Sequence, residues 1–404
     1  MSDNMTASRQ WAKRPADERF WSVEELEKHL EPIRATSKVI GEPEQKTKKG
    51  KLEPTLFIKD LRVIGEGNDL KLVGPNGGLC GMTNHTFGQL CTHLEAPASY
   101  ISKLPTDLAL QNLAFGFSTH GDIPVKVLLQ RTGTNGAVEA RAITGPNYSR
   151  IWDLDICRNL KPAFREGWVI PPARPANDDP RSRPATDADC FDQGKFWGSI
   201  KPGDMIAPAG VYRGDRDSFI FAVRPDRTID DGGGNGGLMR GIFISNSEVG
   251  ARAFKVTTFL LENVCGNHIC WGTSELVELK MVHKGRAKEL FSPEMMVRLR
   301  KYNDSGLLET EAMIQRAKQF EIAGSGEMLI KRLFGIKSLG VSKLDLTAAF
   351  AWAEQWEHTA KAPPTTAWGF VHGLTRYSQT MDTADARHDL DVAGGKILSM
   401  ALAG

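Results

Sequence analysis

The sequence of 404 residues predicts an α+β fold: a curved, mainly antiparallel sheet with inserted helices, followed by a helical C-terminal region. Three observations predict it. Apolar residues alternate with a period of two in separate runs between Thr55 and Gly272. After Ser274 the apolar spacing becomes helical. No fixed-period repeat occurs, and strands followed by a run of helices is the order of an α+β chain. Three segments follow: residues 1–54 as an N-terminal extension with a short helix and a charged linker, 55–273 as an α+β core, and 274–404 as a helical region packed on that core.

The elements are expected in this order. Ser22 and Glu25 form a capping box ahead of Leu26 and Leu30, which places a short helix in the extension. Glu42 to Lys51 is charged and poor in apolar residues, as a flexible linker is. TLFIKDLRVI and LKLVG, from Thr55 to Gly74, are strand-like and separated by turn residues. Helical stretches follow from Thr86 to Phe115, with Pro97 and Pro105 each marking a stop and a restart. PVKVLLQR and AVEARAIT form a hairpin across Thr132 to Gly136, and DLDICRNLKPAF returns to helical spacing. Five prolines between Pro171 and Asp189 imply a long exposed loop. DMIAPAGVY, SFIFAVRP and GIFISN are strands, the last two joined by the glycine-rich Thr228 to Gly237. Ser292-Pro293-Glu294 reads as a helix N-cap with proline at the first helical position. Trp352, Trp356, Trp368 and Phe370, on helical spacing, are expected in the core.

Hydrophobic content of 41% and charged content of 25% are ordinary for a soluble globular protein, and the net charge of +2 does not by itself indicate a polyanionic partner. Six irregularly spaced cysteines read as reduced thiols of a cytoplasmic protein. Met1 to Phe20 lacks an apolar core, so no secretory leader is expected, and no apolar run reaches membrane-span length.

Motifs with chemistry are sparse. The glycines at 232–234 and 236–237 lack the Lys and Ser/Thr of a phosphate loop and precede a strand, so they read as a hairpin tip. Cys265, His268 and Cys270, with His283 thirteen residues on, offer zinc-type ligands in a spacing that matches no common finger. No G-x-S-x-G, H-E-x-x-H or paired-carboxylate pattern appears. Asp153 and Asp155 open a helix, where carboxylates meet the helix dipole favourably. Basic and aromatic residues do cluster. Between Lys126 and Arg183 lie ten basic and six acidic residues, with Tyr148, Trp152, Phe164 and Trp168 among them. A second basic group, Lys284, Arg286, Lys288, Arg298, Arg300 and Lys301, follows the Cys/His stretch. Basic grooves with aromatic platforms bind single-stranded nucleic acid.

The stretches RAITGPNYSRIWDLDI (141–156), SNSEVG (245–250), VCGN (264–267), VHK (282–284) and TAWGFVHGLTRY (366–377) occur in an order that resembles the phage- and plasmid-type proteins of the domain-of-unknown-function 932 family. The resemblance runs from about residue 55 to the end. It implies a mobile genetic element, a cytoplasmic setting and DNA-related work, and it carries no catalytic residues. The resulting expectation is a non-catalytic, oligomeric protein that binds single-stranded DNA, in annealing or protection during recombination, without a cofactor. Arg131, Arg141, Arg150, Arg158, Lys161, Lys284 and Arg286 are the expected phosphate contacts, and Tyr148 and Trp152 the stacking surface. The alternatives are a metal-dependent enzyme using Cys265, His268, Cys270 and His283, or an interaction module of the element.

Overall fold

The computed structural model describes residues 18–42, 54–67, 69–132, 136–165, 167–172, 179–190, 200–229, 237–262, 268–269, 278–304, 307–378, 380–381 and 384–403. The fold is α+β, with antiparallel sheets and a helical C-terminal region. Instead of one sheet there are two large ones, of six and seven strands, and a two-stranded pair.

Strand β1 (Arg19–Phe20), helix α1 (Val23–Thr36) and strand β2 (Lys38–Ile40) come first. The six-stranded sheet adds β3 (Arg62–Glu66), β4 (Asp69–Val73), β5 (Leu79–Met82), β6 (Lys126–Thr132) and β7 (Ala137–Thr144), in the order β2-β6-β7-β5-β4-β3. Its one parallel contact is β5 on β7. Helices α2 (Asn84–His93), α3 (Ala98–Ile101) and α4 (Thr106–His120) sit between β5 and β6. Helix α5 (Asp153–Arg165) leads to the short pair β8 (Arg183–Pro184) and β9 (Met205–Ile206).

The larger sheet holds β10 (Val211–Arg213), β11 (Ser218–Ile229), β12 (Leu238–Asn246), β13 (Phe254–Glu262), β14 (His268–Ile269) and β15 (Glu278–Met281), with β1 on its edge and both β14 and β15 on β13. Both of its faces are covered. Ile242 and Ile244 of β12 pack with Leu26, Leu160 and Met295, while Met239 packs with Phe221 and Phe259 on the other side. The strand is therefore apolar on both faces instead of alternating. Gly241 lies beneath the Phe259 ring, where a Cβ would overlap the ring.

The helices α6 (Ala287–Asp304), α7 (Leu307–Gln319), α8 (Gly326–Phe334), α9 (Lys343–Gln355), α10 (Glu357–Ala360), α11 (Ala367–Ser378) and α12 (Ala384–Ala403) complete the chain. Trp368 and Phe370 of α11 share one apolar cluster with Ile229, Leu238 and Leu260, so the far ends of β11, β12 and β13 anchor the helical region. Trp352 and Trp356 are only partly buried. Among the described residues no helix is long and apolar enough to cross a membrane.

Three expectations need correction. Residues 19–40 are not an appendage: β1 pairs with β10, β2 pairs with β6, and α1 buries Val23, Leu26 and Leu30. Burying each such side chain contributes about 1.5–3 kcal/mol, which makes this segment integral to the fold. Ser22 does cap α1, accepting from the Glu25 amide at 3.1 Å, and the Glu25 carboxylate accepts from the Trp21 amide at 2.6 Å. Ser22→Ala should cost about 0.5–2 kcal/mol in chemical denaturation, and an unchanged midpoint would show that α1 does not depend on this cap. The charged linker lies largely outside the described residues.

The proline-rich stretch is not simply an exposed loop. Asp179 accepts both guanidinium nitrogens of Arg19, at 2.6 and 2.9 Å, in a buried pair, and Arg183 holds Asp189 the same way at 2.7 and 2.8 Å. Finally, α6 starts at Ala287, ahead of Ser292, and Pro293 sits inside it. Burial of Ala287 and Phe291 favours the extra turn, and Ser292 donates to the Asn159 side chain at 2.5 Å instead of capping. The glycine loop and its hairpin tip fall mostly outside the described residues.

Candidate functional site

The segment after β7, Tyr148 to Asp153, meets the Ser245–Gly250 turn that ends β12, and this is where the two sheets join. Tyr148 donates its hydroxyl to the Ser247 carbonyl at 2.8 Å, and Asn246 donates to the Ile151 carbonyl at 3.0 Å. Gln89 of α2 clamps the turn from the other side. It accepts from the Ile143 amide at 2.9 Å and donates to the Val249 carbonyl at 2.7 Å. Two stretches that are about a hundred positions apart in the sequence thus form one polar layer, every member of which must be hydrogen-bonded to be tolerated.

Asp153 is the centre of that layer. Its Oδ1 accepts from Ser218 Oγ at 2.6 Å and from Asn246 Nδ2 at 2.7 Å. Its amide, the first of α5, donates to Glu248 Oε1 at 2.9 Å. Glu248 therefore caps a helix from a remote turn, and the capping role expected of Asp153 belongs to it. Arg213 lies 3.9 Å from Asp153 and 3.5 Å from Glu248, too long for strong ion pairs but close enough to balance charge. Burial, and then the like charge of Glu248, push the Asp153 carboxyl up to about 7, with Arg213 acting against them. The arrangement joins elements. All five of its side chains are buried.

A second, cationic layer lies outside the first. Arg150 is 7% exposed, with its guanidinium carbon 5.2 Å from the Tyr148 ring and 5.5 Å from the Trp152 ring. Arg34 covers Trp152 at 4.0 Å. Lys126, also buried, donates to the Tyr148 carbonyl at 2.6 Å and lies 3.5 Å from the Glu42 carboxylate. Burial, and beyond it the charges of Arg150 and Lys288, lower the Lys126 ammonium, while Glu42 raises it. Tyr148 stacks on His283 at 5.1 Å. Burial lowers the His283 imidazole to about 4, so the ring is neutral. Its Nδ1 sits 3.1 Å from the Ser149 carbonyl, which only accepts, so the proton is on Nδ1. Lys284, Arg286 and Lys288 are exposed beside this strip, and the Lys288 amide donates to Ser149 Oγ at 3.0 Å.

The expected contact residues separate into groups. Lys284 and Arg286 stand exposed at the junction, Arg286 paired with Glu289 at 2.9 Å, and Arg131 is exposed at the end of β6. Arg141 is not a surface contact. It is 4% exposed and donates to Gln130 at 3.0 Å and to the Asp215 carbonyl at 2.7 Å, tying β7 to the β10–β11 turn. Arg158 and Lys161 are engaged with Glu27 and Glu31 of α1, Lys161 reaching Glu27 at 2.6 Å. Trp152 and Tyr148 are held in the junction, one buried and one stacked on His283, so neither offers a free ring face for a base.

Of the alternative metal cluster, Cys265, Cys270 and the His268 side chain lie outside the described residues, while His283 contacts Ser149 and Tyr148. Sequence reasoning missed Arg213, Ser218, Asn246 and Glu248, and counted Lys126 only as one member of the basic cluster. The available signal was the polar density of RGDRDS (213–218) and SNSEVG (245–250), each sitting between apolar strands. No protein-family model, no curated protein and no solved structure matches the chain.

Proposed function

We propose that the chain is a nucleic-acid-binding protein whose contact face is the cationic strip at the sheet junction. What carries the reading is the gathering of Arg34, Lys126, Arg150, Lys284, Arg286 and Lys288 around Tyr148, against the carboxylates of Glu42, Glu248 and Glu289, with the Asp153 carboxyl pushed up to about 7. Such an excess of positive charge is favourable opposite a phosphate backbone. The resemblance to the phage- and plasmid-type family supports the same reading. It adds DNA-related work of a mobile element in a cytoplasmic setting, while the basic and aromatic cluster adds single-stranded DNA as the ligand, and annealing or protection in recombination by a non-catalytic homo-oligomer completes the proposal.

The test is binding of a labelled oligothymidylate at graded salt. Lys284→Ala and Lys288→Ala should each lower the slope of log affinity against log salt by about 0.7, the value for one lost contact on a single strand. Arg141→Ala and Arg158→Ala should leave that slope unchanged in folded protein, because their guanidinium groups are engaged elsewhere. Absence of any oligonucleotide binding at low salt removes the reading.

A further inference from the structure

Arg150 differs from two other buried guanidinium groups of this protein, Arg141 and Arg240. Arg141 donates to Asp215 and Gln130, and Arg240 donates to the carbonyls of Tyr302 and Asn303 at 2.9 and 3.0 Å. Among the described residues none of the three Arg150 nitrogens has a hydrogen-bond partner, although the side chain is 7% exposed. Tyr148 and Trp152 place their rings beside it, but an aromatic ring is only a weak acceptor for its five N–H groups. Cation–π contact offsets only part of the cost of desolvating a guanidinium. The missing component is an acceptor, and a negatively charged one fits best.

The neighbouring groups indicate where it would sit. Lys126, Lys288 and Arg34 surround the same strip, and two carboxylates, Glu42 and Glu248, attract the Arg150 charge. Glu248 is committed to the α5 amide. Glu42 is 63% exposed and reaches Lys126 at only 3.5 Å, so it is weakly held. A phosphate group brings more acceptor oxygens and more charge to the same place than a carboxylate does.

We infer that Arg150 and Lys126 form the inner wall of a phosphate subsite whose place is held by the Glu42 carboxylate, an inference that rests on this face being the nucleic-acid interface. A phosphodiester group of the bound strand displaces Glu42, bonds Lys126, and supplies the in-plane acceptors that Arg150 lacks. Glu42 thereby acts as a built-in competitor that excludes weakly binding anions.

The experiment uses two probes on the full chain: labelled oligothymidylate by fluorescence anisotropy, and inorganic pyrophosphate by thermal shift. Removing the competing charge with Glu42→Gln should tighten both about two- to fivefold, the scale of an exposed ion pair. Lys126→Gln should weaken both at least about tenfold, as loss of a charge-assisted bond does. Lys288→Gln, at an exposed position, should weaken both without affecting folding, which guards against a misfolded Lys126 variant. Circular dichroism confirms folding of each. If the wild-type chain binds the oligonucleotide but Glu42→Gln and Lys288→Gln leave both probes unmoved, the subsite is wrong and the nucleic-acid reading stands. If pyrophosphate binds and responds to the variants but the oligonucleotide does not bind, the subsite stands and its natural ligand is a free phosphate compound. Weaker binding by Glu42→Gln overturns the placeholder role.

Discussion

Asp153→Ala should destabilise the protein by about 2–5 kcal/mol, measured by chemical denaturation on the acid side of about pH 7, where the carboxyl still holds its proton. Ser218 Oγ and Asn246 Nδ2 both donate to the same Asp153 oxygen and would lose their buried acceptor. Each such loss costs about 1–3 kcal/mol. Above about pH 7, where the carboxyl is ionised, relief of its repulsion with Glu248 offsets part of this, and Arg213 would retain one carboxylate instead of two. Asp153→Asn keeps the accepting oxygen and should cost far less, so the alanine-to-asparagine difference isolates the hydrogen bonds from the volume change.

The same pair of variants gives a pH signature. The Asp153 carboxyl titrates at about 7 in the folded protein, against about 4 in an unfolded chain. The folded state therefore holds the proton more tightly than the unfolded state between those values. Stability contributed by this group is fully present below the unfolded value and falls as pH rises through the window up to the folded one. The stability difference between the wild-type chain and Asp153→Asn should accordingly shrink, or change sign against the wild type, from about pH 4 to about pH 7. A difference that stays flat across that window would mean that Asp153 is ionised throughout and that Arg213 outweighs burial.

Trp368→Ala should be the most damaging single truncation in the helical region, at about 3–5 kcal/mol. The side chain is fully buried in the cluster that joins α11 to the ends of the larger sheet. Its loss would empty the point where the two regions meet, so both should unfold at a lower denaturant concentration in one transition. The companion change is of opposite sense. Gly373, one turn further along α11, faces the Ala349 carbonyl and the Ala353 amide and methyl of α9, and a Cβ there would overlap all three. Because backbone atoms cannot step aside as a side chain does, Gly373→Ala should separate α9 from α11 and cost about 1–3 kcal/mol. Unchanged stability of Gly373→Ala would mean that the crossing is looser than the packing indicates. A Trp368→Ala protein that loses only its helical region would show that the two regions fold independently.

The local elements were legible in the amino-acid order. Period-two runs appear as β3, β4, β6 and β7, the apolar runs SFIFAVRP and GIFISN appear as β11 and β12, and the helical spacing of DLDICRNLKPAF appears as α5. These signals are local, because a half-buried strand or helix must repeat its apolar residues at its own period. Ser22 and Glu25 likewise announced the start of α1 through neighbouring backbone amides. The basic and aromatic content around Tyr148 was equally visible as composition.

What each charge does was decided by tertiary contacts between distant positions. Arg141, Arg150, Arg158 and Lys161 look alike in the sequence, yet one ties two sheets together, one is buried without an acceptor, and two are paired with carboxylates of α1. Glu248 caps a helix that begins 95 positions earlier, and no periodicity encodes that distance. Residues 19–40 were composed like an appendage and became edge strands of both sheets, because an open sheet edge pairs with any strand the chain can deliver to it. Period and composition are properties of neighbours in sequence. Desolvation and charge balance are properties of neighbours in space, and those determined which cations of this protein stand free at its surface.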